Sequence, residues 1–113
     1  MSRATNGFNL MFVESVEETL AGLLGQTVSN AFTTFLQAQA GITLDEISDR
    51  PDALFSALTG SFGMVGDRVG KYIVRKLYLK AGVQFVEHDG GRLVDYVSEL
   101  KQRLIEAEFG RST

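Results

Sequence analysis

Cysteine and tryptophan are absent from this chain of 113 residues, and histidine and proline occur once each. Without thiols there is no disulfide framework, no thiolate nucleophile, no thiolate-held zinc, no cysteine-ligated iron–sulfur centre and no covalently attached c-type haem. One imidazole is too few for a paired-histidine zinc or di-iron centre, so neither a metal nor a cofactor is expected. Long apolar runs are also missing. The opening MSRATNGFNLMFVESVEE holds a run of four apolar residues, Leu10 to Val13, before acids follow. That fits neither a secretory leader nor a membrane span, and a cytoplasmic location is the default expectation. With no low-complexity tract, linker or internal repeat, residues 1–113 read as a single helical domain.

What is present is an ordinary globular composition, 44% hydrophobic and 22% charged, long enough to bury a core without a staple. The net charge of −3 is unevenly placed: residues 1–65 carry 2 basic and 7 acidic side chains, residues 66–113 carry 9 and 7. The two halves can attract each other.

Apolar spacing is helical over most of the chain. Val13, Val16, Leu20 and Leu23 recur at three and four residues, and Ser15 with Glu18 has capping-box spacing for a helix that begins late and stops at Gly25. A second helix over about 27–39 turns Val28, Ala31, Phe32, Phe35 and Leu36 inward and ends at Gly41. Asn30, Thr33 and Thr34 lower its propensity, so packing must hold it. Thr43 and Glu46 again have capping-box spacing and start one turn carrying Ile42, Leu44 and Ile47 to the core. Asp49 and Pro51 open a third helix with Leu54, Phe55, Leu58 and Phe62 as its stripe, closed by Gly63. A fourth, over about 65–81, buries Val65, Val69, Tyr72, Ile73 and Leu77 before Gly82.

Val83-Gln84-Phe85-Val86 alternates and then meets Asp89-Gly90-Gly91, which favours an extended segment and a tight turn, with Phe8 to Val13 as the candidate partner strand. The fifth helix, over about 92–109, sets Leu93, Val97, Leu100, Leu104 and Ala107 at alternating steps of four and three. That is a heptad seam, suited to a partner helix from the same chain or from a second subunit. The expected fold is mainly α: a compact five-helix bundle with a short β-hairpin or extended segment near residues 83–91.

Motifs that carry chemistry are thin. Gly60, Gly63, Gly66 and Gly70 precede Lys71, but a phosphate loop needs one more residue, a hydroxyl after the lysine and a preceding strand. Glycines that end one helix and let the next approach closely explain them better, with a faint anion site where Arg68 meets the start of the fourth helix. Tyr72 and Lys76 match the Tyr-x-x-x-Lys pair of short-chain dehydrogenases without the glycine fingerprint or doubly wound sheet that chemistry needs. Glu87-His88-Asp89 is the one place where imidazole and carboxylates crowd together, and it falls in a turn with no nucleophile at hand. No constellation pairs a nucleophile or metal with a base, so no enzyme is expected. Arg68, Lys71, Arg75, Lys76 and Lys80 make the fourth helix basic; Arg68, Lys71 and Arg75 share a face that is a candidate anion or nucleic-acid patch. The acidic pI near 5.1 and the lack of any recognition motif argue against nucleic acid, and the acidic face of the first helix is the better partner for these bases. Phe32, Phe35, Phe55 and Phe62 are the candidate lining of an apolar ligand pocket.

The order Val13-x-x-Val16, Leu23-Leu24-Gly25, Ala31-Phe32-x-x-Phe35-Leu36, Gly41-Ile42, Leu54-Phe55-x-x-Leu58, Phe62-Gly63 and Ile73-Val74-Arg75-Lys76-Leu77-Tyr78 resembles the Nitrosopumilus output domain type, a small helical domain chiefly of archaeal proteins. Its members stand alone or follow signalling modules, so the resemblance implies a regulatory or interaction role and carries over no catalytic residue. The chain departs from that pattern at Thr33 and Thr34 and in its longer last helix. The leading expectation is a non-catalytic regulatory or scaffold domain that pairs with itself as a homodimer through Leu93, Val97, Leu100 and Leu104, or with another protein. The alternatives are a sensor or carrier of a small apolar ligand in the Phe-rich core, and non-specific nucleic-acid binding through the fourth helix.

Overall fold

Large apolar side chains four residues apart decide the first helix. Phe8, Phe12, Val16 and Leu20 form one stripe on α1 (Arg3–Leu24), each at most 1% exposed. The computed structural model describes residues 3–88 and 90–111, and side chains over 7–88 and 90–107. Residues 8–13 are helical, and the strand pairing expected between them and 83–86 does not form: the two phenylalanines extend the helical stripe backwards through what reads locally as a short apolar run. Ser15 lies mid-helix instead of capping it. Its hydroxyl donates to Met11 O at 2.7 Å, which satisfies a buried polar group within the helix.

The remaining elements follow in short steps: α2 (Gln26–Ala40), a 3-10 turn (Leu44–Glu46), α3 (Pro51–Phe62), α4 (Met64–Ala81) and α5 (Leu93–Arg111). Phe32 and Leu36 bury α2, with Ser29 taking the inward place expected of Ala31, which is exposed. The capping box forms around the 3-10 turn, where Thr43 N–H donates to Glu46 Oε1 at 3.1 Å, and Ile42 and Ile47 reach the core on either side. Pro51 occupies the first turn of α3, where a missing N–H costs nothing. α1 is the axis, packed against α2, α4, α5 and the 3-10 turn.

One glycine separates α3 from α4. Gly63 sits at φ 61°, ψ −135°, a conformation closed to residues with a Cβ, and folds the two helices into a pair. They then touch closely: a Cβ on buried Gly66 would fall against Leu58 O and lie 2.6 Å from Leu58 C, in the backbone of α3. The glycine row thus serves helix packing, as its spacing implied.

Residues 83–88 run without a partner strand. Their anchor is aromatic. Phe85 packs edge-on between Tyr78 and Tyr96, with ring centroids 5.1 and 5.0 Å away, and Tyr78 Oη donates to Tyr96 O at 2.6 Å. Burial pushes the Tyr78 hydroxyl pKa up, so it stays protonated as a donor. His88 N–H donates to Tyr96 Oη, which donates in turn to His88 O, and Gly91 N–H closes the turn onto His88 O at 3.1 Å. Asp89 of the sequence motif lies outside the described residues.

The α5 seam has its partner inside the chain. Val97 and Leu100 are 1% and 0% exposed, Tyr96 is buried beside them, and Leu93 and Leu104 pack half-buried against the same core. Val97 and Leu100 are thus covered within the chain, whereas Leu93 and Leu104 keep part of their surface open. A strict 3.5-residue repeat specifies one narrow apolar contact, and α1, α3 and α4 together supply it. At the outer end of the contact, Lys101 Nζ donates to Ser48 O at 3.3 Å and ties α5 to the segment before α3.

Candidate interaction face

Helix α4 carries two apolar stripes, and only one of them is buried. Val69, Ile73 and Leu77 enter the core with Gly66, Gly70, Val74 and Tyr78. Val65, Tyr72 and Leu79, spaced seven residues apart, stand on the opposite side at 54%, 52% and 79% exposure. Val65 and Tyr72 were expected inside. The phase of the helix is set by Gly66 and Gly70, the residues that allow close approach to α3, Phe55 and Leu93. At 100° per residue, Val65, Tyr72 and Leu79 lie well round the helix from that contact. Glycine phase was the signal in the sequence that distinguishes the two stripes. Leu23 of α1, also expected inside, is 52% exposed for a related reason: the Phe8–Leu20 stripe already fills the contact.

Leu23 and Tyr72 wall a groove of about 210 Å³ between α1 and α4, lined further by Glu18, buried Thr19, Gly22 and Lys76. The Thr19 hydroxyl is buried without a hydrogen-bond partner. Ser15, Thr33, Thr34 and Thr59 each return their hydroxyl to the carbonyl four residues earlier, and Thr19 does not. An unsatisfied buried hydroxyl costs about 1–3 kcal/mol, and a change that deletes it while keeping the side-chain shape removes that cost. Thr19→Val is expected to stabilise the fold by about 1 kcal/mol in a denaturant titration. A loss of stability would show that the hydroxyl has a partner.

The antiparallel run of α1 and α4 sets acids of one against bases of the other, as the uneven charge implied. Lys80 Nζ lies 2.7 Å from Glu18 Oε2 and 3.2 Å from Glu14 Oε2, and Lys76 Nζ lies 3.8 Å from Glu18 Oε1. The hydrogen bond from Lys80, followed by the charges of Lys80 and Lys76, holds the Glu18 carboxyl below its ordinary pKa; the same contacts raise Lys80. A lowered carboxylate stabilises the fold above its unfolded-state pKa and loses that contribution as pH falls through its folded-state value. A raised lysine stabilises below its unfolded-state pKa and loses the contribution as pH rises through its folded-state value. Lys80→Met is therefore expected to lower the melting temperature at neutral pH. The difference should vanish both below the ordinary glutamate range and above the ordinary lysine range. A gap that persists in strong acid would assign the effect to packing of the lysine stem.

The five cations of α4 thus divide. Lys76 and Lys80 pair with α1, and Lys71 pairs with Glu87, whose carboxyl pKa it lowers with a smaller effect from the Arg75 charge. Among the described residues Arg68 and Arg75 have no ion-pair partner, and both are exposed. The expected row of Arg68, Lys71 and Arg75 is in this way reduced to two free guanidiniums, seven residues apart, beside the stripe of Val65, Tyr72 and Leu79.

The four phenylalanines expected to line one pocket are divided among three places. Phe32 and Phe62 stack on each other with centroids 5.9 Å apart, Phe35 borders a surface groove with Ala57 and Gly60, and Phe55 borders another with Lys71, Glu87 and Tyr96. Tyr72 and Lys76 lie one turn apart in the groove lining, with the lysine turned to Glu18. His88 is exposed and rests on the Tyr96 ring at 4.9 Å. No helix among the described residues is long and apolar enough to cross a membrane. Compared with protein-family models, curated proteins and solved structures, the chain finds no match in any of the three.

Proposed function

We propose that this chain is a non-catalytic helical interaction domain whose docking face is the exposed side of α4 with the end of α1. The observation that carries this reading is the second apolar stripe: Val65, Tyr72 and Leu79, continued by Leu23 across the groove, form an amphipathic face left over after the bundle has closed. Exposed apolar residues scattered singly mean little, whereas a stripe at helical spacing beside a groove marks a place where another helix packs.

The occupant is another protein. A two-fold pairing of α4 with itself about Tyr72 sets Arg68 opposite Lys76, and a parallel pairing sets Arg68 against Arg68, so self-association through this face brings like charges together. Native mass spectrometry of the chain purified gently from cells tests the reading. The expected result is a protein complex of fixed stoichiometry for the wild type that is missing for the Val65→Ser/Tyr72→Ser/Leu79→Ser variant, with both chains equally stable because the changes are on the surface. A bare monomer in both preparations would overturn the proposal. A clean multiple of the chain mass would return it to self-association, and an extra few hundred daltons lost on denaturation would replace it with ligand carriage.

A further inference from the structure

The two free arginines indicate what kind of helix docks. We infer that the α4 face takes an acidic amphipathic helix of a partner protein, with carboxylates seven residues apart set against Arg68 and Arg75; this rests on the reading of α4 as a docking face.

Three features of the face converge on that occupant. Val65, Tyr72 and Leu79 repeat every seven residues, the spacing at which one helix presents a seam to another. Arg68 and Arg75 share the same interval, so they stand about 10.5 Å apart along the helix axis and flank the seam as charged positions flank a coiled-coil contact. Every lysine of α4 is ion-paired inside the chain, whereas among the described residues neither guanidinium has an ion-pair partner, Arg75 adding only a longer-range pull on Glu87. The free charge on this face is therefore positive on a chain whose net charge is −3.

Among the described residues this chain offers no acidic helix with an apolar seam to match: Glu99 and Glu106 of α5 are exposed and seven residues apart, but no large apolar side chain of α5 is exposed beside them. Glu14 and Glu18, the acids of α1 nearest its exposed leucines, are engaged by Lys76 and Lys80. A nucleic acid would use the two arginines and leave the apolar seam beside them facing water. An anionic membrane would meet two free cations on a protein of net negative charge, a weak electrostatic attraction for a lipid surface. An acidic helix with an apolar seam satisfies both rows at once. Its long-range attraction to the arginines should raise the association rate and make binding salt-sensitive.

A phage-displayed library of amphipathic helices tests this on the full chain, with a fixed leucine and aromatic seam and Glu, Gln or Lys allowed at every flanking position. The expected result is enrichment of sequences with Glu at flanking positions seven apart. The leading peptide, synthesised, should bind the Arg68→Glu/Arg75→Glu variant at least about tenfold more weakly. It should also weaken with added salt and fail to bind the Tyr72→Ser variant. Enrichment of Lys- or Gln-flanked sequences would overturn the inference, as would a leading peptide that needs Tyr72 but ignores both arginines; in those cases the docking face stands and only its charge preference falls. Peptides indifferent to Tyr72 and to the arginines would remove the docking face itself. So would an absence of enrichment together with binding of phosphatidylserine vesicles or duplex DNA through the same arginines.

Discussion

Val97→Glu combined with Leu100→Glu is expected to unfold the chain, leaving an expanded monomer without helical far-UV signal. Both side chains are at most 1% exposed and belong to the core that α5 shares with α1, α3 and α4. Each carboxylate placed there loses its water and gains no partner, a penalty of several kcal/mol per ion after relaxation. Two such penalties add to the loss of two apolar side chains, each worth about 2 kcal/mol of burial, and together match the roughly 5–15 kcal/mol that hold a small domain together. Circular dichroism with size-exclusion chromatography reads the result directly. A folded variant of half the wild-type mass would instead place these residues between subunits and overturn the intrachain seam described above. The same pair of substitutions therefore separates a bundle that closes on itself from one that needs a second copy.

The second large effect is expected at a glycine. Gly66→Ala should lower stability by about 3 kcal/mol, a fall of roughly 12 °C in melting temperature for a chain of this size. Its Cβ would meet Leu58 O, Leu58 C and Thr59 N, all backbone atoms of α3, so relief requires the two helices to separate. Gly70→Ala is the informative companion, since its Cβ would meet Leu93 Cδ1 at 2.6 Å and Phe55 Cδ1 at 3.2 Å, the movable ends of side chains. Its cost should be smaller. Gly60→Ala should have the opposite sign and add up to about 1 kcal/mol, because its nearest contact is Phe35 Cζ at 3.8 Å and alanine is the better helix former. Thermal melts of the three variants should fall in that order. Equal effects would mean that α3 and α4 are not in backbone contact.

These glycines also show where a reading of sequence succeeds. Gly63, Gly66 and Gly70 are spaced for a helix end and a close helix crossing, and the structure uses them for both. The charge imbalance between the two halves was equally legible, and it reappears as the ladder of Glu14 and Glu18 against Lys76 and Lys80. The free arginines were legible only in part. Arg68, Lys71 and Arg75 share a helical face by spacing, but Lys71 is neutralised by Glu87 from a segment sixteen residues away, a contact that no local pattern encodes.

Periodicity failed where two patterns overlap. Leu10 to Val13 reads as a short strand if taken alone, but Phe8 and Phe12 belong to a four-residue stripe that continues to Leu20, and the long stripe prevails because it buries four large side chains on one axis. On α4, spacing by three, four and seven admits Val69, Ile73 and Leu77 and equally Val65, Tyr72 and Leu79. Which set is buried depends on the direction from which α3 approaches.

By itself, then, the amino-acid order determined the mainly helical class, the glycine breaks between helices, the capping turn at Thr43 and Glu46, and the want of any thiol-based or paired-histidine chemistry. Those are consequences of local sterics, hydrogen bonding and side-chain inventory, which act within a few residues. Tertiary structure decided that the α5 seam closes on its own chain, that the phenylalanines divide among three places, and that the second stripe of α4 faces water with Arg68 and Arg75 beside it. The reason is that burial is a competition among faces. Among the described residues α1 and α4 offer more apolar surface than their neighbours cover, and the packing of α1, α3 and α4 settles which surface remains for a partner.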